Sequence, residues 1–354
     1  MNTALVDRIA DAVLYEGYLL YPYRPSAVKN RQRWNFGVLY PQVHSERADS
    51  GDAWVMETEC LVQGRLTAQV QVKVRCLQLV SRSIGEPAQP MEDLRSSGPS
   101  EFHSVDSLTV DGQVFKACQE AVAREISPPP LHVNDLAKPL ARHAFQFHGE
   151  RTVEPLRDEG RQIVGVIVRE KQPVSGLVEV VAEQLGEDIF KIRVVIRNTT
   201  ALDAGDPMNR EDALMHSMIS THTILGVENG QFVSLFDPPE SIAPFAARCQ
   251  NNNAWPVLVG DDGSRDMMLS SPIILYDYPQ IAPESPGDLF DGTEIDEILA
   301  LRIMTMTDDE KREVRQSDPR GRELLERTET LPPEHLMKLH GVLRGLRSSP
   351  EKAS

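Results

Sequence analysis

The sequence lacks most of the patterns that identify a catalytic or metal-binding protein. Its four cysteines, at positions 60, 76, 118 and 249, include no Cys-x-x-Cys pair, so neither a disulfide framework nor a zinc knuckle is indicated. The phosphate-loop, dinucleotide and hydrolase-elbow glycine motifs are also missing, which removes local support for those three kinds of site. We therefore expect reduced thiols and no cofactor.

Export and membrane signals are missing as well. The N-terminal segment carries Asp7 and Asp11, where a signal peptide needs a basic start and an apolar core. No apolar run approaches the roughly 20 residues that cross a bilayer. The formal net charge of −16 repels phosphate backbones and anionic lipids. We expect a cytoplasmic protein that binds no nucleic acid and inserts into no membrane.

The chain is nevertheless long and apolar enough for substantial cores, with 354 residues of which 40% are hydrophobic. Two or three domains are the usual expectation at this length. The predicted fold class is α+β, with an antiparallel β-sandwich-like core and a helical C-terminal region. Four segments are predicted. Residues 1–130 form a β-rich domain with a short leading helix, and residues 131–200 form a second antiparallel block. Residues 201–290 form a mixed α/β region, and residues 291–354 form a helical end.

A regular alternation of apolar and polar residues runs from Leu66 to Cys76. This period of two predicts a strand with one buried face. Residues 53–62 are its expected hairpin partner, with the turn at Gly64. Residues 81–104, rich in Ser, Gly, Pro and acids, are predicted to form a long exposed loop.

A basic and aromatic segment follows the first predicted helix, which covers residues 3–14. Prolines and aromatics between residues 15 and 40 favour extended structure and a loop over helix. The candidate partner-binding residues there are Tyr23, Arg24, Lys29, Arg31, Arg33 and Trp34. Such a segment can stack bases, hold an anion or face an acidic protein, or it is a solvated turn whose aromatics join the core. The global charge favours an acidic protein or a small anion over nucleic acid.

A second β block is predicted from residues 143 to 198. It contains strands at residues 164–168, 177–182 and 189–196, with turns at Gly176 and at residues 186–188. Before it, another strand or a hairpin around Gly112 leads into a segment that fits a helix or a strand. Short connections favour antiparallel pairing throughout.

Helical periodicity appears after residue 206. Asn209 is the expected N-cap of a helix that continues through Ile224. Asn229 and Gly230 then predict a turn, followed by a strand at residues 231–236, a short helix ending at Ala247 and a strand at residues 255–260.

A proline-spaced loop with two tyrosines follows at residues 270–286. Capping patterns then predict several helices after Thr293, the last of which carries a leucine stripe at 336, 339, 343 and 346 that must dock on another surface.

Two blocks of the sequence resemble a known group of proteins. They are residues 11–30 with Arg33-Trp-Asn-Phe-Gly37, and Trp255 through Gly341. Both resemble uncharacterised proteins encoded beside the structural and maturation genes of high-affinity uptake nickel–iron hydrogenases in soil bacteria. No catalytic residue comes with this resemblance. It implies an accessory role in the maturation, assembly or organisation of the hydrogenase.

Two hypotheses follow, and we favour the first. The chain is a non-catalytic accessory protein that contacts a hydrogenase subunit or maturation factor through its basic loop and helical end. Alternatively, it is a metal-binding or enzymatic maturation factor with a site near Cys249, His216 and His222. None of the nine histidines forms the i, i+4 pair of a helical zinc site, so this second site needs convergence in space.

Overall fold

The computed structural model describes residues 3–19, 36–47, 51–94, 102–136, 141–202 and 208–280, together with Thr307, Lys311, Leu325, Glu326 and Glu329. The chain divides into two compact units, Met1–Gln280 and Ile281–Ser354. Among the helices in these ranges, none has both the length and the apolar character needed to cross a bilayer.

Strands dominate the first unit, with short helices between them. The helices are α1 (Thr3–Leu19), α2 (Gln42–Arg47), α3 (Val133–Leu136), α4 (Arg210–Met215) and α5 (Ala243–Ala246). The strands are β1 (Val55–Pro87), β2 (Phe102–Val105), β3 (Ser107–Val110), β4 (Gln113–Lys116), β5 (Cys118–Ile126), β6 (Leu131–His132), β7 (Ala141–Phe147), β8 (Glu150–Arg157), β9 (Ile163–Lys171), β10 (Val174–Gln184), β11 (Ile189–Asn198), β12 (Ile219–Val233), β13 (Trp255–Leu258) and β14 (Met267–Ser271).

Strand β1 organises the sheet. Its first part pairs with β11 on one edge and with β12 on the other. Its last part pairs with β9 on one edge, and with β5 and then β2 on the opposite edge. Within the described residues, twelve strands join this one sheet, and β3 and β4 form a separate hairpin. Every described pairing is antiparallel, which confirms the predicted antiparallel, β-rich core.

The main core lies inside the curve of this sheet. The even-numbered side chains Cys60 and Val62 of β1 face the same core as Ile192 and Val194 of β11 and Met268 of β14. Across the core, the Thr58 and Ser270 hydroxyl oxygens lie 2.6 Å apart, although β12 separates their strands in the sheet. The sheet therefore curves back on itself around the apolar interior.

The opposite face of β1, β11 and β10 is charged and internally paired. Lys191 Nζ lies 3.3 Å from Glu59 Oε1 and 2.9 Å from Glu183 Oε2. Arg142 Nε lies 2.9 Å from Glu179 Oε1. Cross-strand pairs of opposite charge stabilise a sheet modestly, so these charged side chains have a structural role within the sheet.

The predicted turn at Gly64 is wrong. β1 runs without interruption through this position, and the hairpin of residues 53–62 with 66–76 does not form. Gly64 instead pairs with Gly230 of β12, beside a bulge that leaves the next pair at Gln69 and Glu228. The predicted alternation is confirmed from Ala68 to Cys76, where every even-numbered side chain is buried.

Several other boundaries need correction. The first helix continues to Leu19 instead of giving way to extended structure at residue 15. β1 extends to Pro87 and β2 begins at Phe102, so the loop predicted at residues 81–104 is shorter at both ends. Gly176 lies inside β10 instead of forming a turn. The hairpin around Gly112 and the turn between β10 and β11 are confirmed.

The helix predicted from Asn209 to Ile224 is correct only at its start. Asn209 caps α4 by accepting a hydrogen bond from the Asp212 backbone at 2.8 Å. The helix ends at Met215, and Ile224 lies in β12. β12 also continues through the turn predicted at Asn229 and Gly230, where Asn229 has a positive φ of 58°.

Strands from the first three predicted segments join one sheet, through the pairings of β1 with β11 and β12. The segment boundaries themselves stay predictions.

In the second unit, Lys311 donates its backbone N–H to Thr307 O at 2.9 Å and forms a 3.2 Å ion pair with Glu329. The predicted helices after Thr293 lie almost entirely outside the described residues, so the helical C-terminal region stays a prediction.

Candidate functional site

The basic loop predicted to bind a partner lies outside the described residues. All six candidates, Tyr23, Arg24, Lys29, Arg31, Arg33 and Trp34, fall between residues 20 and 35. The nearest described residues after them, Phe36 and Gly37, accept backbone hydrogen bonds from Ser220 at 2.9 Å and Thr221 at 3.0 Å. Phe36 and Gly37 are therefore attached to the start of β12.

His222 of the predicted metal alternative is a buried core histidine. Its side chain lies in β12, and Nδ1 lies 2.8 Å from Ser220 O, so that the neutral ring donates to this carbonyl. The pKa of His222 is lowered to about 4, mainly by burial and also by the nearby Arg75 guanidinium, against the opposing effects of the Ser220 hydrogen bond and Asp11. Nε2 has no hydrogen-bond partner within the described part of the chain.

His216 and Cys249 occupy two other environments. His216 follows α4, with Nδ1 3.3 Å from Pro173 O, and burial is the main cause of its lowered pKa. Cys249 follows α5 and packs at the edge of a cluster that contains Leu61 and Ile189. Burial, together with Glu59, raises the pKa of the Cys249 thiol to about 11, so it is a protonated thiol at neutral pH rather than a reactive thiolate.

The metal alternative therefore receives no geometric support. Across the described ranges, no group of three or more His, Cys, Asp or Glu side chains is arranged to hold a metal ion. A zinc or nickel site needs several such ligands converging on one point, whereas the three candidates are built into separate parts of the core.

Among the residues that the structure describes, the most exposed large apolar side chains mark a different surface. Phe236, Ile274 and Tyr276 are 70%, 73% and 72% exposed. The rings of Phe236 and Tyr276, which we call the aromatic pair, lie 5.4 Å apart between centroids at 87°, an edge-to-face contact. This is a favourable geometry for two aromatic rings, so the two side chains hold each other in place while facing solvent.

The turn that carries Phe236 is fixed by Ser234. The Ser234 hydroxyl oxygen accepts hydrogen bonds from the backbone N–H groups of Phe236 at 3.1 Å and Asp237 at 2.9 Å. The same hydroxyl donates to Asp277 Oδ2 at 2.5 Å. Ser234 thereby connects the end of β12 to the segment that carries Tyr276.

That segment is bonded along the outer edge of β13. Asp277 Oδ1 accepts the Leu258 N–H at 2.8 Å, and the Leu258 carbonyl accepts the Tyr278 N–H at 2.8 Å. The Tyr278 hydroxyl donates to Ser264 O at 2.9 Å. These hydrogen bonds fix the backbone directly after Tyr276, whereas the Tyr276 ring itself is exposed.

A small polar cavity lies beside Trp255, the partly exposed first residue of β13. It measures about 260 Å³ and is lined by Trp255, Tyr40, Asp52 and Arg210, among others. The Arg210 guanidinium lies 5.1 Å above the Tyr40 ring and 3.3 Å from Asp52 Oδ1. Burial is the largest cause that raises the pKa of Tyr40 to about 12, so this phenol stays protonated at neutral pH.

The sequence predicted a proline-spaced loop with two tyrosines at residues 270–286, but did not single out either ring as a candidate site residue. In the structure Tyr276 is exposed, whereas Tyr278 bonds inward. Phe236 was assigned only to a strand. The sequence signal that could have predicted the turn at Phe236 is Ser234, because serine hydroxyls in turns bond backbone N–H groups two and three residues later.

The chain matches no protein-family model and no curated protein sequence. The candidate site is therefore defined by its own geometry.

Proposed function

We propose that this protein is a non-catalytic accessory protein that acts by binding another protein. The observation that supports this role is the aromatic pair, Phe236 and Tyr276, exposed on a backbone fixed by hydrogen bonds. We further propose that the partner is a subunit or maturation factor of a nickel–iron uptake hydrogenase, and this step rests on the resemblance of the two sequence blocks.

Exposed aromatic side chains are costly in solution and useful at interfaces. Tyr and Phe are enriched in the centres of protein–protein interfaces, where each buries a large area. An exposed pair that is already ordered loses little conformational entropy on binding. Ile274, two residues before Tyr276 in the same segment, adds apolar area to this surface.

The proposal is tested by co-purification from cells that make the hydrogenase. Tagged parent protein is compared with the Phe236→Ser/Tyr276→Ser double variant and with a control, Leu66→Ser/Val122→Ser, which removes two other exposed apolar side chains, at 48% and 37% exposure. We expect the parent and the control to recover a hydrogenase subunit or maturation factor, and the double variant to recover at least about tenfold less, since losing two interface aromatics costs well over 1.4 kcal/mol.

Two results would contradict the proposal in different ways. Equal recovery of the partner by a folded double variant would show that the aromatic pair is not part of the interface. If the parent enriches no hydrogenase protein, the proposal that the partner is a hydrogenase subunit or maturation factor is wrong. Capture of an unrelated protein would not support that proposal.

A further inference from the structure

A groove of about 470 Å³ lies on one face of the last part of β1 and its neighbours β2, β8 and β9. Because paired residues in a sheet share a face, Val153 of β8 and Val168 of β9 lie side by side on its floor. Phe102 and Leu94 add further apolar surface, and the fully buried Val166 lies beneath it. Val153 is 39% exposed, so this floor is open to solvent.

The floor continues at Gly85 of β1. A Cβ atom at Gly85 would lie 2.9 Å from Val166 Cγ2 and 3.0 Å from Phe102 Cβ. Glycine therefore lets these two side chains approach each other over β1. On the opposite face of the same strands, Ile84 and Ile167 are packed into a buried cluster with Val110, so the groove is the accessible face of this part of the sheet.

Two side chains of opposite charge, Arg151 and Glu170, line one end of the groove. Arg151 lines the groove, and its guanidinium forms no hydrogen bond or ion pair with the described residues. Its neighbours are paired: Arg169 bonds Glu120 at 2.9 Å and Glu154 at 2.7 Å. Glu170, directly across from Arg151, accepts a hydrogen bond from Gln172 at 2.8 Å.

The floor strands also limit what can bind there. β9 is paired on one edge with β8 and on the other with β1, and β1 is in turn paired with β2. Their backbone groups are therefore used within the sheet, so an extended peptide cannot add as a further strand over this floor. A ligand must be held by side chains, through apolar contact and one cation.

We propose that this groove binds a small amphipathic anion, with an apolar chain over Val153, Val168 and Phe102 and a carboxylate on Arg151. The volume lies in the usual range of small-molecule sites, and a few charged groups beside an apolar floor are their common composition. The two charged side chains that line this groove are Arg151 and Glu170, and Glu170 is engaged by Gln172. A guanidinium forms two parallel hydrogen bonds to a carboxylate, which fixes the orientation of the ligand. This site is separate from the aromatic pair.

Binding of octanoate and of its neutral analogue octanamide to the full-length protein, measured by titration calorimetry or equilibrium dialysis, tests the proposal. We expect saturable one-site binding of octanoate to the parent and roughly five- to tenfold weaker binding to Arg151→Gln, the loss expected for one charge-assisted pair. Octanamide should bind the parent and Arg151→Gln equally.

Two matched controls separate the groove from general effects. Arg65→Gln removes another exposed arginine, on β1, and should leave octanoate binding unchanged. Val153→Ser should weaken binding of both ligands, whereas Val122→Ser, at a similarly exposed valine on β5, should not. The proposal is overturned if the parent shows no saturable binding, or if Arg151→Gln and Arg65→Gln bind octanoate alike.

Discussion

Asp277 accepts the hydroxyl hydrogen bond of Ser234 on one carboxylate oxygen and the backbone N–H of Leu258 on the other, at 2.5 Å and 2.8 Å. One side chain thereby connects the end of β12, the end of β13 and the segment that carries Tyr276. The order of the aromatic pair depends on this carboxylate more than on burial of the rings.

Replacement of Asp277 by alanine should therefore affect both stability and binding. Loss of two hydrogen bonds to a charged acceptor is expected to lower the free energy of unfolding by about 1.5–3 kcal/mol, measured by urea denaturation. Partner recovery in the co-purification assay should fall as well. Asp237→Ala, in the same turn but bonded there only through its backbone, is the control and should behave like the parent in denaturation; equal stability of both variants would remove Asp277 from this role.

Stability should fall as the solution is acidified, through His222. Its pKa is about 4 in the folded protein and near 6.5 when unfolded, so the unfolded chain binds more protons between these values and stability rises with pH in that window. The contribution is fully present above pH 6.5 and decreases toward pH 4 by about 3 kcal/mol.

Denaturation of the parent, His222→Gln and the exposed His103→Gln across this pH range measures that contribution. The expected result is a shallower pH dependence in His222→Gln alone, whatever its absolute stability. Parallel pH profiles for the parent and His222→Gln would show that His222 ionises normally in the fold.

The close approach of β1 and β12 should make Gly64 intolerant of a side chain. A Cβ atom there would lie 2.9 Å from Gly230 Cα and 3.1 Å from Asn229 O, and backbone atoms cannot rotate away. Gly64→Ala should lower the free energy of unfolding by about 1–3 kcal/mol. Gly186→Ala, where the nearest atom lies at 3.6 Å, should be neutral, and equal stability of the two variants would contradict the assigned contact.

The basic segment between residues 20 and 35 gives a prediction from sequence alone. Arg24→Glu with Arg33→Glu should leave the circular dichroism spectrum unchanged and weaken binding to an acidic partner, more so at low than at high salt, because such charges act mainly on association. Co-purification at two salt concentrations measures this. Undiminished recovery of the partner would assign the segment to a solvated turn.

Local patterns predicted those parts of the fold that local interactions decide. Alternation from Ala68 to Cys76 marked a half-buried strand, and Asn209 marked a helix start, because both depend on residues only a few positions apart. The end of α4 was missed because apolar residues at 214 and 218 continue the helical period, whereas Ile219 pairs with Leu77 of β1. That competing interaction is distant in sequence.

The same limit applies to the candidate site. Tyr276 stands out in the sequence because prolines surround it, but its contact with Phe236 and its fixation through Ser234 arise only when β12 and β13 are assembled. Likewise, Arg151 is one arginine among many in the sequence. Only the assembled sheet pairs Arg169 and Lys171 with carboxylates and places Arg151 beside an apolar floor.

The length of β1 has a consequence for biosynthesis. Its partners β11 and β12 are translated only after the whole of β1 and the intervening strands. Both edges of the first part of β1 therefore stay unpaired for on the order of ten seconds or more at ordinary translation rates. Exposed strand edges are templates for aggregation. The nascent chain should therefore depend on a ribosome-bound chaperone until Val233 has emerged, and slow folding should be expected of a sheet dominated by distant pairings.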